Sequence, residues 1–343
     1  GGSHDDRSRD ICYEVFLLDE VAWMYENDPA RMKPIEESHG EFVSPISEEL
    51  LKEIWKYIQD GNNMVGDTLP WESDFRFKPK TLNVWAGINA HGKSVALQQC
   101  ALHWAVQGKK TAIWSQEMPC ETVYANLIRQ ATGVPKPTEM FHALVAQWLN
   151  DWIMVWHQPS MRFEDVFTFL DAAKKQGIDH IIIDNLTSIG LTSDNLWMHQ
   201  RELIVHLKKA CMELGLMIHV VHHIRKLDSE KSQPDKFDVV GSGDITNLAD
   251  NVFIVNRNIE KQEKVNEGWG SQTISSSDTR TWGELSDGLI SAVKVRYGQP
   301  CRIKLWWNQI GPDTGAFTDS VSAPSIVYFR APEDMEYDQE IPF

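Results

Sequence analysis

From residue 80 onward, short apolar runs alternate with longer polar stretches. The runs at 81–86, 111–115, 152–157, 180–184, 216–221, 251–255 and 289–295 are nearly continuous in apolar residues, the pattern of strands covered on both faces. Most are separated by a helical stretch or a long connection, so the expected fold class is α/β: a mostly parallel central sheet flanked by helices. Two further runs, 302–306 and 325–329, follow without intervening helices and are expected to finish the sheet as antiparallel strands at its C-terminal end. Upstream, 11–25 and 48–59 have helical spacing, the second with Ser47 as a cap and Glu48 and Glu49 in its first turn. Residues 258–288 are rich in Ser, Gly, Glu and Asn and lack sustained periodicity, which predicts a long surface insertion. No internal repeat is present.

These patterns divide the chain into a cloning remnant at 1–4, a helical linker arm at 5–60, one large domain at 61–330 and an acidic tail at 331–343. Gly1-Gly2-Ser3-His4 lacks an initiator Met, so the native protein is expected to begin earlier, and an additional N-terminal domain upstream stays open.

Charge changes the picture only when it is localised. The net charge of −16 argues at face value against a nucleic-acid partner. Residues 1–60 hold 15 acidic and 6 basic side chains, however, and 331–343 hold 5 acidic and none basic. The remainder, with 29 acids and 27 bases, is nearly neutral, so a local basic stripe is allowed. No apolar run approaches the ~20 residues of a membrane helix, and no membrane partner is expected. The five cysteines, at 12, 100, 120, 211 and 301, contain no C-x-x-C pair, which suits a reducing cytoplasm and gives no zinc-binding pattern.

The clearest chemistry lies in Gly87-Ile88-Asn89-Ala90-His91-Gly92-Lys93-Ser94, followed by Val95. Two glycines at this spacing let the backbone turn tightly with its N–H groups facing an anion, where a Cβ would intrude. Lys93 supplies a point charge for β- and γ-phosphates, Ser94 a hydroxyl for Mg²⁺, and the following helix points its positive end at the phosphates. Asp184 ends an apolar strand, where an acid either holds magnesium or caps a turn. Glu117, just past the strand at 111–115, is either a water-orienting base or the acid of a helix N-terminus. His219, His222 and His223 invite a metal reading, but on a strand 219 and 223 share a face opposed by 222, so the three do not converge.

The ordered set of motifs resembles the hexameric RecA-type replicative helicases, a family that includes bacterial DnaB, phage primase-helicases and mitochondrial Twinkle. The resemblance covers roughly residues 60–310. It rests on the phosphate loop; on Ser115-Gln-Glu-Met118; on the segment 181–186; on Val220-Val-His-His-Ile-Arg225; on Gly241-Ser-Gly-Asp-Ile-Thr-Asn-Leu-Ala-Asp250; and on Lys294-Val-Arg296. It implies a RecA-like P-loop NTPase core that uses ATP or dTTP with Mg²⁺, held by Ser94 and Asp184. It further implies that Glu117 activates water, that His223 senses the γ-phosphate, and that Arg296, with Lys294 beside it, reaches into a neighbouring subunit's site. The implied assembly is a homo-oligomeric ring, hexameric in the family, that translocates on single-stranded DNA and unwinds duplex in the cytoplasm, the bacterial host's for a phage-encoded member. Within this chain Arg225, Lys226, Lys231 and Lys236 are the DNA-binding candidates, although Asp228, Glu230 and Asp235 dilute that segment and a merely solvated loop stays open. No primase-like zinc cysteines are present, and Asn185 stands where many relatives carry Tyr.

The tail, from Glu333 to Ile341-Pro342-Phe343, is similar to the acidic tip of bacterial single-stranded DNA-binding proteins and to phage helicase tails. It is either a docking peptide for a DNA polymerase or other replisome protein, or a solvating tail. Two other functions share the phosphate loop: a RecA-like single-stranded-DNA-binding ATPase that mediates or loads without unwinding, and a small-molecule kinase.

Overall fold

The computed structural model describes residues 46–64, 66–158, 162–186, 196–224 and 243–330. The helix expected at 11–25, the candidate DNA-binding residues Arg225, Lys226, Lys231 and Lys236, and the tail at 331–343 lie outside the described residues. The chain divides into units 1–47 and 48–343, and nearly all described residues belong to the second.

Among the described residues nine strands form one sheet: β1 Leu82–Gly87, β2 Thr111–Ser115, β3 Ile153–Val155, β4 His180–Asp184, β5 Met217–His223, β6 Asn251–Arg257, β7 Gly288–Val295, β8 Cys301–Gln309 and β9 Gly315–Thr318. Their spatial order is β3-β2-β4-β5-β1-β6-β7-β8-β9. Pairings among β1 to β6 are parallel and those from β6 through β9 antiparallel. β8 follows β7 without a helix and pairs antiparallel as expected, whereas β6 and β7 are antiparallel although a helix, Ile259–Asn266, lies between them. The helices are α1 Glu48–Met64, α2 Lys93–Val106, α3 Cys120–Thr132, α4 Glu139–Trp152, α5 Phe163–Lys175, α6 Leu196–Leu214, α7 Gly243–Leu248 and α8 Ile259–Asn266. None of the described helices is long and apolar enough to cross a membrane.

The continuous apolar strands follow from burial on both faces. Leu82, Val84 and Ala86 of β1 join Ile181 and Ile183 of β4 in one core, packed against Val166 and Leu170 of α5 and Leu203 and Leu207 of α6. The alternate residues Trp85 and Ile182 join a second core under Leu97 and Trp104 of α2 and Leu127 of α3. Because side chains alternate along a strand, every position of β1 and β4 is buried and no polar face survives in the sequence.

A polar chain runs through the second core. Trp85 Nε1 donates to His219 Nδ1 (3.2 Å), His219 Nε2 lies 3.0 Å from His180 Nδ1, and His180 Nε2 lies 2.9 Å from Asp67 Oδ2. An indole N–H only donates, so His219 Nδ1 must accept, its proton sits on Nε2, and His180 in turn donates to the carboxylate. Both rings are fully buried and neutral: desolvation lowers both pKa values, His219 well below its ordinary value, with Asp67 partly opposing the shift at His180. Trp104 stacks on His180 with ring centroids 3.8 Å apart.

Three expectations are corrected. Residues 325–329 form no strand: β9 takes the pairing position beside β8, and Tyr328 and Phe329 instead donate their N–H groups to Ala131 O at the end of α3. Their apolar run reflects packing on helices, with Phe329 against Phe141 and Trp148. The insertion at 258–288 is not all irregular, since it holds α8 and a 3₁₀ turn at Trp282–Glu284. Asn258 caps α8 by accepting from Lys261 N (3.0 Å); the helix is short and highly charged, which hides it from periodicity. Helix α1 runs to Met64, past the expected end at 59.

Candidate active site

A parallel sheet delivers every strand's C-terminal end to one edge, and there the sequence-predicted residues converge. β1 ends in Gly87, β2 in Ser115, β4 in Asp184 and β5 in His223; in the sheet these strands run β2-β4-β5-β1 as consecutive neighbours. The loop 88–92 then turns into α2. Gly92 has φ 90°, a left-handed conformation, and a Cβ there would lie 2.7 Å from Phe317 Cζ. A Cβ on Gly87 would lie 2.5 Å from Val255 O. Both glycines are therefore required by geometry as well as by the motif.

Lys93 is buried and donates from Nζ to Gly87 O (2.9 Å) and Ile88 O (2.8 Å). Desolvation lowers its pKa to about 8, with Asp184 and Glu117 opposing the shift. His91 is buried as well, and its Nδ1 accepts from Arg257 N (3.1 Å), tying the loop to the end of β6. Asn89 and Ala90 are exposed at the loop's tip, Ile88 is buried beneath it, and Val95 packs on the core.

Ser94 Oγ donates to Asp184 Oδ2 at 2.5 Å. Burial raises the Asp184 pKa to about 6, the Ser94 hydrogen bond partly offsetting it and Glu117 adding to it. Asp184 Oδ1 is buried without a hydrogen-bond partner among the described residues. A hydroxyl and a carboxylate side by side, with one carboxylate oxygen unsatisfied, are the oxygen donors a hard cation takes, so the residues fit Mg²⁺.

Glu117 lies two residues past β2, on a turn held by Gln116 N donating to Asp184 O (2.6 Å) and Met118 N donating to Ser115 Oγ (3.1 Å). Its side chain is 47% exposed, and Oε1 lies 3.0 Å from His223 Nε2. Desolvation lowers the His223 pKa, Lys93 adds to that and Glu117 opposes it. Asn185 bridges the two: its Nδ2 is 2.5 Å from Glu117 Oε1 and 2.7 Å from His223 Nε2. Sequence reasoning left Asn185 without a chemical role. The signal in the sequence was its place directly after Asp184, where many members of the resembled family carry Tyr.

The three histidines of β5 go to different places, His219 to the buried polar chain and His223 to Glu117, while His222 is buried.

Lys294 and Arg296 are not brought to this edge. β7 runs antiparallel to β6, with Val295 opposite Asn251, so Arg296 sits at the amino end of β1 and β6 while the phosphate loop leaves their carboxyl end. There Asp250, fully buried, accepts from Leu82 N (2.8 Å) and pairs with Lys208 (2.5 Å) and Arg296 Nε (2.6 Å). Lys294 Nζ donates to Thr246 O (2.8 Å) and Asn247 O (2.9 Å) in α7. Arg296 is 46% exposed.

A nucleotide-phosphate loop on a mostly parallel sheet, with a magnesium-type donor set beside it, defines a P-loop NTPase fold. Residues 74–229 match the family model described as an AAA domain. Among solved structures, the ATPase domain of G40P is similar with a TM-score of 0.61 at 14% identity, over 78% of this chain and 95% of that one. A DnaB-like replicative helicase, solved in connection with its interactions with primase, is similar at the same TM-score and identity over 91% of this chain and 74% of that one. No curated protein matches the chain. The chain thus has the RecA-type fold of DnaB-like helicase ATPase domains.

Proposed function

We propose that this chain is the motor domain of a ring-forming replicative DNA helicase that hydrolyses ATP or dTTP, translocates on single-stranded DNA and unwinds duplex. The observation that carries the reading is the separation of Lys93, Ser94, Glu117, Asp184 and His223 from Lys294 and Arg296 at opposite edges of one sheet. In this reading the cation delivered to the γ-phosphate comes from another copy, as in a ring whose interfaces contain the active sites.

In this reading Lys93 and the loop N–H groups hold the phosphates, and Ser94 and Asp184 hold Mg²⁺. Bound Mg²⁺ neutralises charge building on the phosphate oxygens. Glu117 takes a proton from the attacking water, His223 contacts the γ-phosphate, and Arg296 of the next subunit, with Lys294 beside it, stabilises the transition state, a contribution on the order of 10³–10⁵ in rate. Arg225, Lys226, Lys231 and Lys236 contact the DNA backbone. The helix expected at 11–25, in the arm at 5–60, packs on an adjacent subunit, the domain at 61–330 is the motor, and the tail ending in Phe343 recruits a polymerase or another replisome protein in the cytoplasm.

The test is strand displacement on a forked duplex alongside hydrolysis of ATP and dTTP with and without single-stranded DNA. Unwinding with DNA-stimulated hydrolysis is expected. Stimulated hydrolysis without unwinding would favour a loader or mediator, and hydrolysis indifferent to DNA would remove both DNA readings. Deleting residues 333–343 is expected to weaken polymerase binding while leaving hydrolysis unchanged.

A further inference from the structure

We propose that Asn185 is a positioning residue for the hydrolytic base, holding the Glu117 carboxylate in place and keeping His223 from pairing with it. The inference rests on the functional reading above. Asn185 is 2% exposed, immediately follows the magnesium-type carboxylate Asp184, and has its amide nitrogen between Glu117 Oε1 at 2.5 Å and His223 Nε2 at 2.7 Å.

The orientation of the amide follows from its neighbours. Turned the other way, its carbonyl oxygen would face a carboxylate oxygen at 2.5 Å, lone pair against lone pair. With the NH₂ group inward, one hydrogen goes to Glu117 and the other to His223 Nε2. His223 must then carry its own proton on Nδ1, an atom that is buried without a partner among the described residues.

That tautomer has a consequence for the base. Glu117 Oε1 and His223 Nε2 are only 3.0 Å apart, and without Asn185 the imidazole could place its proton on Nε2 and donate directly to the carboxylate. Such a bond would put an imidazole N–H on Oε1 and draw negative charge from the carboxylate, weakening it as a base toward water. Asn185 therefore does two things with one amide: it anchors one oxygen of Glu117 and makes His223 an acceptor toward this side. Among the described residues Glu117, half-exposed on a turn, has no side-chain partner beyond Asn185 and His223, so this amide bond governs where its other oxygen points.

The test uses the full chain with Mg²⁺ and ATP. Asn185→Leu has nearly the same size and no donors, and Asn185→Ser keeps one donor on a shorter arm. Asn185→Leu is expected to bind a fluorescent ATP analogue within about threefold of wild type while kcat falls about ten- to a hundredfold, the loss that misplacing a reactive group by about 1 Å brings. Asn185→Ser should fall between the two. Adding Asn185→Leu to Glu117→Gln should cost little more in single-turnover hydrolysis, because the base being positioned is already gone. Wild-type kcat in Asn185→Leu would overturn the proposal, as would a full additional loss in the double variant. A kcat loss that tracks lost nucleotide affinity and lost thermal stability would also overturn it. If Asn185→Leu does not fold, the kcat and affinity of Asn185→Ser decide the matter. Failure of the wild type itself to hydrolyse nucleotide would strike the functional reading instead, which separates the two failures.

Discussion

Acidification should unfold this domain through two histidines that take no part in the proposed chemistry. His180 and His219 lie fully buried in a hydrogen-bonded chain whose direction is set by the Trp85 indole and which ends on Asp67. A proton added to His219 Nδ1 would meet the indole N–H, and one added to His180 Nδ1 would meet the proton on His219. Both folded-state pKa values are accordingly depressed, with desolvation the leading cause. The unfolded chain takes up these two protons near pH 6.5, and the folded chain does so only at lower pH. Below about 6.5 the unfolded state thus binds more protons, and stability falls as pH falls. Each histidine contributes a slope of about 1.4 kcal/mol per pH unit, so the pair contributes about 2.7 kcal/mol per unit until the folded-state values are reached. Against a typical domain stability of about 5–15 kcal/mol, one pH unit is a large fraction. Asp184 works in the opposite sense: its pKa is raised to about 6, so between there and its unfolded value, falling pH favours the folded state. Urea unfolding at pH 7.5, 6.5 and 5.5 should be compared between the wild type and a His180→Asn, His219→Asn double variant. The variant will be less stable at every pH, but its slope should be flatter below 6.5, by an amount approaching at most about 2.7 kcal/mol per unit. Equal slopes would refute the claim that the two rings are held neutral.

Three further outcomes are expected. Arg296→Ala should bind nucleotide normally and hydrolyse it poorly, and mixing it with Lys93→Ala should restore some hydrolysis; no restoration means that the arginine does not serve a neighbour. Gly92→Ala should lose nucleotide binding by about tenfold or more in an equilibrium titration, because φ 90° is strained for alanine and its Cβ would lie 2.7 Å from Phe317. Phe77→Ala should cost about 3–5 kcal/mol in denaturant unfolding, since this ring has no exposed surface and touches Phe75, Trp85, Trp104, His219 and Phe253.

What the sequence made legible was decided by where burial leaves a local pattern. β2 and β4 match their apolar runs end to end and β1 is offset by one residue, because full burial on both faces removes the polar positions that would blur their limits. The phosphate loop was legible for a different reason: its backbone geometry demands glycine at fixed spacing. Long-range polar pairing left no such mark. Nothing local to Asp67 announces His180, 113 positions away, and nothing near Leu82 announces the Asp250 carboxylate that accepts its N–H from 168 positions away. Asn185 was visible only as a departure from relatives, because its two partners arrive from β2 and β5. The short apolar run at 325–329 was misread for a related reason, since a segment packed against two helices is as apolar as one buried in a sheet.

The opposite-edge placement of the phosphate loop and Arg296 also bears, under the proposed function, on how sites are counted. If each copy lends its arginine to the next, a row of copies has one complete site per junction, and its last phosphate loop always waits for a donor. Closing the row into a circle supplies that donor and adds a site without adding a chain. Turnover per chain would then report circularity, rising with concentration as fragments grow and stepping up once more when the ends meet.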